Sequence, residues 1–351
     1  MNDLILAFIT AFSLTYLAIP SIIQVSLKKN LMDEPSVRRV HKVSTPSLGG
    51  IGIFAGVVFS ILMWTPFSYF SNLQFILCAM VVIFLIGVKD DLDPTSPIKK
   101  LIGQLFAAFI LVFKANIKLT SLYGVFGVYE LTPALSVFIS VFAILVIINS
   151  MNLIDGINGL SSGIGLLFSL FFCYWFYSTG RTEIAIIAAS LIGSLIAFLK
   201  FNVTPAKIFM GDTGSLMVGL IASILVISFI ELQAKYKYNS LYFPAAPALG
   251  VAILILPLFD TARVFTLRLL RGKSPFYPDK NHIHHLLLKS GLSHMQATAV
   301  LITFNLIFII IAINFQYLGN FSLILVILSL AILLTHILSI FAQRADSKFN
   351  K

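Results

Sequence analysis

Charged side chains are scarce in this sequence. Asp, Glu, Lys and Arg make up 11% of its 351 residues, where a water-soluble domain carries about 25%, so a soluble globular protein is excluded. Cysteine is nearly absent too. The two present, Cys78 and Cys173, sit inside apolar runs, which excludes a disulfide framework and gives no thiol pair for redox chemistry. No internal repeat, low-complexity linker or shift in composition marks a second domain, so residues 1–351 read as one unit. No Lys or Arg precedes Lys28. A cleaved secretory signal would begin with basic residues, so the first apolar run reads as an uncleaved span whose start lies outside.

What is present is apolar surface: 58% of the residues are hydrophobic and the mean hydropathy is +0.98. A helix needs about 20 apolar residues to cross the hydrocarbon. Runs at 2–27, 48–70, 74–89, 101–114, 134–150, 159–178, 183–201, 215–231, 246–265, 296–315 and 321–342 predict an all-α polytopic membrane protein of about eleven transmembrane helices. With the N-terminus outside, 19 Lys and Arg fall on inner connections and five on outer ones. That positive-inside bias places the C-terminus in the cytoplasm. The net charge of +10 is thereby a topology signal that needs no nucleic-acid partner, and the basic inner face suits anionic lipid and nucleotide.

Of the fourteen acidic residues, ten fall on the inner side, several of them at the ends of different spans. Acids meeting beside basic loops are what a metal and phosphate site requires, because Mg²⁺ takes hard oxygen ligands together with substrate phosphates. The strongest such stretch is Asn149–Leu160, NSMNLIDGINGL, where Asn149, Asn152 and Asp155 recur every three residues on one helical stripe. Helix capping explains Asp155 and Asn158 taken alone, but similar polar groups end other runs. Asp90 and Asp91 in GVKDDLD follow an apolar run directly, and adjacent carboxylates are eased by a metal or cationic partner. Asp212 in FMGDTGS stands where a carboxylate opens a helix beside free N–H groups. Lys42, Arg38 and Arg39 offer cations to an anion, and a membrane anchor would look the same. In the longest inner loop, His282, His284 and His285 could ligate zinc. With no Cys near, and with His284 and His285 about 100° apart on a helix, contact with phosphate or sugar hydroxyls is the better reading. His294 and His336 receive no role.

These four motifs, GVKDDLD, NSMNLIDGINGL, FMGDTGS and the HIHH tract, stand in the order found in the polyprenyl-phosphate N-acetylhexosamine-1-phosphate transferases of glycosyltransferase family 4. The chain resembles the branch that uses UDP-N-acetylglucosamine and undecaprenyl phosphate to begin O-antigen, enterobacterial common antigen or teichoic acid linkage units. It is less similar to the phospho-N-acetylmuramoyl-pentapeptide transferases. The likeness runs from about His41 to His285.

The resemblance implies a single integral-membrane transferase domain with catalytic cytoplasmic loops at 28–47, 89–100, 149–158, 200–214 and 266–295, in a bacterial cytoplasmic membrane. It implies transfer of N-acetylglucosamine-1-phosphate, or a related HexNAc-1-phosphate, from a UDP-sugar to undecaprenyl phosphate, with release of UMP and with Mg²⁺ or Mn²⁺ as cofactor. Asp212 then matches the metal ligand, and Asp90, Asp91 and Asp155 match catalytic positions. Lys42, Asn152, Asn158, His282, His284 and His285 match substrate-binding positions. Asn158 replaces the family's usual acid, which puts the need for a charge there in question. A homodimer is left open. The rival readings are a cation-coupled transporter, disfavoured by the absence of a repeat and by acids clustered at one face, and a metal-dependent membrane phosphohydrolase.

Overall fold

The computed structural model describes residues 2–31, 45–238, 240–274 and 281–349. Lys42 and its neighbours Arg38, Arg39 and His41 lie outside the described residues, as do Asp279 and Lys280. The described residues form thirteen α-helices: α1 (Asn2–Lys28), α2 (Gly49–Trp64), α3 (Phe70–Leu92), α4 (Pro97–Phe109), α5 (Pro133–Ile154), α6 (Leu160–Ser178), α7 (Thr182–Asn202), α8 (Gly211–Leu232), α9 (Ala246–Ile253), α10 (Ile255–Leu270), α11 (Ile283–Lys289), α12 (His294–Asn314) and α13 (Gly319–Phe349). Among the described residues there is no strand, only one isolated bridge between Ser121 and Glu130.

All eleven expected segments are helical, but they are not equally long. Eight helices among the described residues are long and apolar enough to cross a membrane; the pair α9 and α10, bent by 77° at its break, is apolar enough to be either a ninth, broken span or a re-entrant loop. Two segments fall short. Helix α2 has 16 residues, stopping before Pro66, and α4 has 13 before a π-helical turn over Ile110–Lys114. At 1.5 Å per residue these cover about 24 and 20 Å, less than the hydrocarbon thickness. Hydropathy counted apolar length but could not see where the helix ended.

Lipid tails give apolar helices no hydrophobic reason to leave them, so close packing and buried hydrogen bonds hold the bundle together. Small residues supply the closeness. A Cβ on Gly193 of α7 would lie 2.3 Å from the Phe8 carbonyl of α1, and one on Gly219 of α8 would lie 2.7 Å from the Ile148 Cα of α5. Polar stitches reinforce α1: Thr15 Oγ1 donates to the Gly52 carbonyl at 3.2 Å, and Trp64 Nε1 donates to Thr10 Oγ1 at 2.9 Å.

Helix α8 is the axis of the fold. Of its 22 residues all but Gly211, Asp212, Ser228 and Glu231 are buried, so it is open only at its two ends. Its first turn is clamped by α2 and α3. Added Cβ atoms on Gly50 and Gly87 would lie 2.1 Å from the Gly214 nitrogen and 2.4 Å from the Thr213 Cα. The approach to α8 pairs with the approach to α2: Gly49 N donates to the Phe209 carbonyl at 3.0 Å, and Phe209 N donates to the Pro46 carbonyl at 2.8 Å. These backbone contacts bring three chain segments distant in sequence to one end of the bundle.

Candidate active site

At that end the C-terminal turn of α3, the N-terminal turn of α8, the start of α4 and the end of α5 meet. Asp91, in the last turn of α3, accepts hydrogen bonds from Asp212 N at 2.7 Å, Thr213 N at 3.0 Å and Thr213 Oγ1 at 2.5 Å. It caps α8 from a neighbouring helix, because α8 has no side-chain cap of its own. This capping explains why Gly211 must be glycine. Its φ is +70°, and a Cβ there would lie 1.9 Å from the Ser47 carbonyl and 2.7 Å from both Asp91 oxygens.

Asp90, one residue earlier, turns the other way. Its Oδ1 accepts from Thr95 N at 2.7 Å and Thr95 Oγ1 at 2.6 Å. Its carboxyl also lies within hydrogen-bonding reach of Asp212. Two anionic oxygens do not rest bare at that separation, and Lys100 of α4 stands between them. The Lys100 ammonium donates to Asp212 Oδ2, reaches Asn152 Oδ1 at 3.2 Å and Asp90 Oδ2 at 3.4 Å, and is largely sequestered from solvent. Asn152 Nδ2 donates to Asp212 Oδ1 at 2.9 Å and to Ser215 Oγ at 2.8 Å. Asn149, one turn earlier on the same stripe of α5, pairs with Gln104 of α4 at 2.7 Å. The stripe read from the sequence therefore holds α4 and α8 against α5.

Asp155 closes this helix as its C-cap. Its carboxyl accepts no hydrogen bond from any described residue, and burial, then the charges of Asp212 and Asp91, push its pKa up to about 8. A carboxyl so placed marks a surplus of negative charge. Among the described residues no group of three His, Cys, Asp or Glu is arranged to hold a metal ion.

The histidine tract borders the same place. His284 Nε2 would lie 2.3 Å from a Cβ on Gly156, directly after Asp155. His284 is buried, its Nδ1 has no partner, and burial, then the neighbouring His285, drives its pKa down to about 3. It is neutral, a hydrogen-bonding ring rather than a cation. His282 is held by Asp260 of α10. The carboxylate of Asp260 meets His282 Nδ1 at 2.8 Å, accepts from Ile283 N at 3.0 Å and accepts from Arg263 Nη2 at 2.9 Å. An ionised carboxylate only accepts, so Nδ1 carries the proton.

Of the residues singled out in the sequence, Asp90, Asp91, Asn152 and Asp212 are joined by hydrogen bonds or through Lys100, and Asp155 with His284 lies beside them. His285 sits next to His284, ring centroids 4.3 Å apart. Asn158 does not join the acids. It is buried, its Nδ2 donates to Thr204 Oγ1 at 2.9 Å, and its backbone carbonyl accepts from Thr298 of α12 at 2.8 Å. Lys100, Asp260 and Arg263 were not singled out as site residues. Each had a signal: Lys100 lies in the first turns of α4, where a helix dipole disfavours a cation, and Asp260 with Arg263 forms an i,i+3 ion pair in an otherwise apolar run.

The family model of Glycosyl transferase family 4 matches residues 73–230, the stretch from α3 to α8 that contains the acid cluster. A Bacillus subtilis (strain 168) protein described as a probable undecaprenyl-phosphate N-acetylglucosaminyl 1-phosphate transferase is 33% identical over 318 residues, covering 89% of this chain and 85% of the relative. A decaprenyl-phosphate N-acetylglucosaminephosphotransferase of Mycobacterium tuberculosis (strain ATCC 25618 / H37Rv) is 31% identical over 323 residues, 86% of this chain and 80% of the relative. An undecaprenyl-phosphate alpha-N-acetylglucosaminyl 1-phosphate transferase of Escherichia coli (strain K12) is 31% identical over 287 residues, 80% of this chain and 75% of the relative. Likeness of that extent, carried by a multi-pass helical bundle with its acids gathered at one end, means that the chain belongs to glycosyl transferase family 4.

Proposed function

We propose that this protein transfers N-acetylglucosamine-1-phosphate from UDP-N-acetylglucosamine to undecaprenyl phosphate at the cytoplasmic face of a bacterial inner membrane. The observation that carries the reading is the meeting of Asp90, Asn152 and Asp212 around the Lys100 ammonium, within a chain of this family. The basic residues orient the bundle with its N-terminus outside, which turns the acid cluster toward the cytoplasm, where the nucleotide-sugar is found. Under that orientation α2 and α4 count as short spans, giving eleven.

An oxygen of the lipid phosphate attacks the β-phosphorus of the UDP-sugar. The bond from that phosphorus to the bridging oxygen breaks, and UMP leaves with the electron pair. A phosphate monoester has a second pKa of about 6 and is already largely dianionic at neutral pH, so the barrier is mainly repulsion between anions. Lys100 offsets that repulsion at the centre of the cluster. Asp90, held by Thr95, aligns the lipid phosphate, while Asp91 acts through α8, whose first turn it fixes. Asn152 orients the Asp212 carboxylate, and neutral His284, with His285 beside it, offers a ring nitrogen to sugar hydroxyls or phosphate oxygens. Lys42 is assigned to the nucleotide from the sequence motif alone.

The donor set fits a hard divalent cation, since Mg²⁺ commonly takes one or two carboxylates and completes its shell with water and substrate phosphates. Asp212, with the Asp155 carboxyl beside it that no described residue pairs, would hold Mg²⁺ or Mn²⁺, which would neutralise the diphosphate. Mass spectrometry of the lipid product tests the reading. Purified protein given UDP-N-acetylglucosamine and undecaprenyl phosphate should form undecaprenyl-diphosphate-N-acetylglucosamine. Free phosphate in place of that lipid would indicate a hydrolase instead, and a panel of UDP-sugars identifies the sugar.

A further inference from the structure

The opposite end of α8 carries a second polar site. A cavity of about 680 Å³ lies between the first turns of α3 and α7, the last turns of α8 and the segment after α4. Along α3, Asn72 in this cavity and Asp90 at the acid cluster are 18 residues apart, about 27 Å at 1.5 Å per residue. The two sites are therefore separated by nearly the thickness of the hydrocarbon. Ser228 and Glu231, which interrupt the burial of α8 at this end, both line the cavity.

Its walls are mixed. Leu73, Ile76, Ile187 and Ile227 supply apolar surface, while Lys118, Arg181 and Lys235 face Glu183 and Glu231. The carboxylates are already engaged in part. Glu231 accepts from Thr120 N at 2.9 Å and Thr120 Oγ1 at 2.6 Å, and Arg181 Nε lies 2.9 Å from Glu183 Oε1. Three cations against two carboxylates leave one positive charge over. Glu183 Oε2 and the neighbouring Arg181 Nε are both closed off from solvent without a hydrogen-bond partner, so this pair is an ion contact rather than a formed hydrogen bond. Tyr69 lines the cavity, and Tyr is a residue enriched at the membrane–water boundary.

We infer that this cavity binds the head group of an anionic phosphodiester lipid. One phosphodiester charge balances the surplus cation. The apolar wall of Leu73, Ile76, Ile187 and Ile227 takes the start of an acyl chain. A volume of about 680 Å³ lies within the range of about 300–1,000 Å³ typical of small-molecule sites. The inference stands apart from the transfer reaction, since none of these residues belongs to the acid cluster.

Native mass spectrometry of the full-length, delipidated protein tests it. Dioctanoyl phosphatidylglycerol should be retained about tenfold better than uncharged dioctanoylglycerol, about 1.4 kcal/mol. Retention should fall to the level of dioctanoylglycerol in Lys118→Gln/Lys235→Gln and in Ser228→Phe, the first removing cations and the second filling space. Both variants should release UMP as the parent does, which shows that they fold. Equal retention of phosphatidylglycerol by the parent and both variants overturns the site. Glycerol phosphate binding as tightly as the lipid overturns the lipid assignment and makes the ligand a soluble anion.

Discussion

The two ends of α8 are built from similar parts toward different ends. At the first turn, four aspartates and a lysine are drawn together until almost every oxygen has a partner, and the carboxyl left over among the described residues, Asp155, is raised to about 8. At the last turn, ion pairs line a roomy cavity whose surplus is a cation. Dense carboxylates with too few cations to balance them suit a cation and polyphosphate chemistry. Sparse pairs around open space suit holding a ligand without reacting it. The same helix, buried between its ends, keeps the two apart.

The comparison breaks most visibly at the acid end. Asp212→Asn and Lys100→Met should each lower UMP release by about 10³-fold, the scale of losing a preorganised charge from a transfer site, with the helical circular dichroism of the parent. The adjacent aspartates should separate. Asp90→Asn should lower kcat by about 10²-fold at unchanged melting temperature. Asp91→Asn weakens the cap of α8 and should cost about 1 kcal/mol of stability as well, read as a lower melting temperature. Asp260→Asn frees the histidine tract and should raise KM for the UDP-sugar about tenfold while changing kcat less. At the other end, Lys118→Gln should leave kcat/KM within about twofold.

A pH dependence sharpens the same contrast. The pKa of His284 falls from an ordinary 6.5 to about 3 on folding. Below 6.5 the unfolded chain takes up the proton before the folded one does, so this contribution to stability is present above pH 6.5 and is lost as pH falls toward 3. The melting temperature should drop over that interval, and His284→Gln should flatten the drop.

The acid cluster was legible in the sequence because Asp90, Asn152 and Asp212 each end an apolar run, and polar groups at helix ends in a membrane protein have few inexpensive explanations. That Asp91 turns to α8 while Asp90 turns to the site was not legible. Two adjacent helical residues point about 100° apart, and only the docking of α8 against Gly87 decides which faces which. Lys100 was hidden for a related reason: its partners lie 10, 52 and 112 residues away. Asn158 looked like its motif neighbours, yet the turn at Gly159, φ +77°, sends it toward α12. The bend of α9 and α10 was invisible to hydropathy, because both halves are apolar.

The most direct measurement is UMP release from UDP-N-acetylglucosamine by the parent and Asp212→Asn proteins side by side, each with and without undecaprenyl phosphate in Mg²⁺. UMP from the parent only when the lipid is present, and about 10³-fold less from Asp212→Asn, is the expected result. Lipid-independent UMP, or full activity in Asp212→Asn, would contradict a transfer site built on the gathered aspartates.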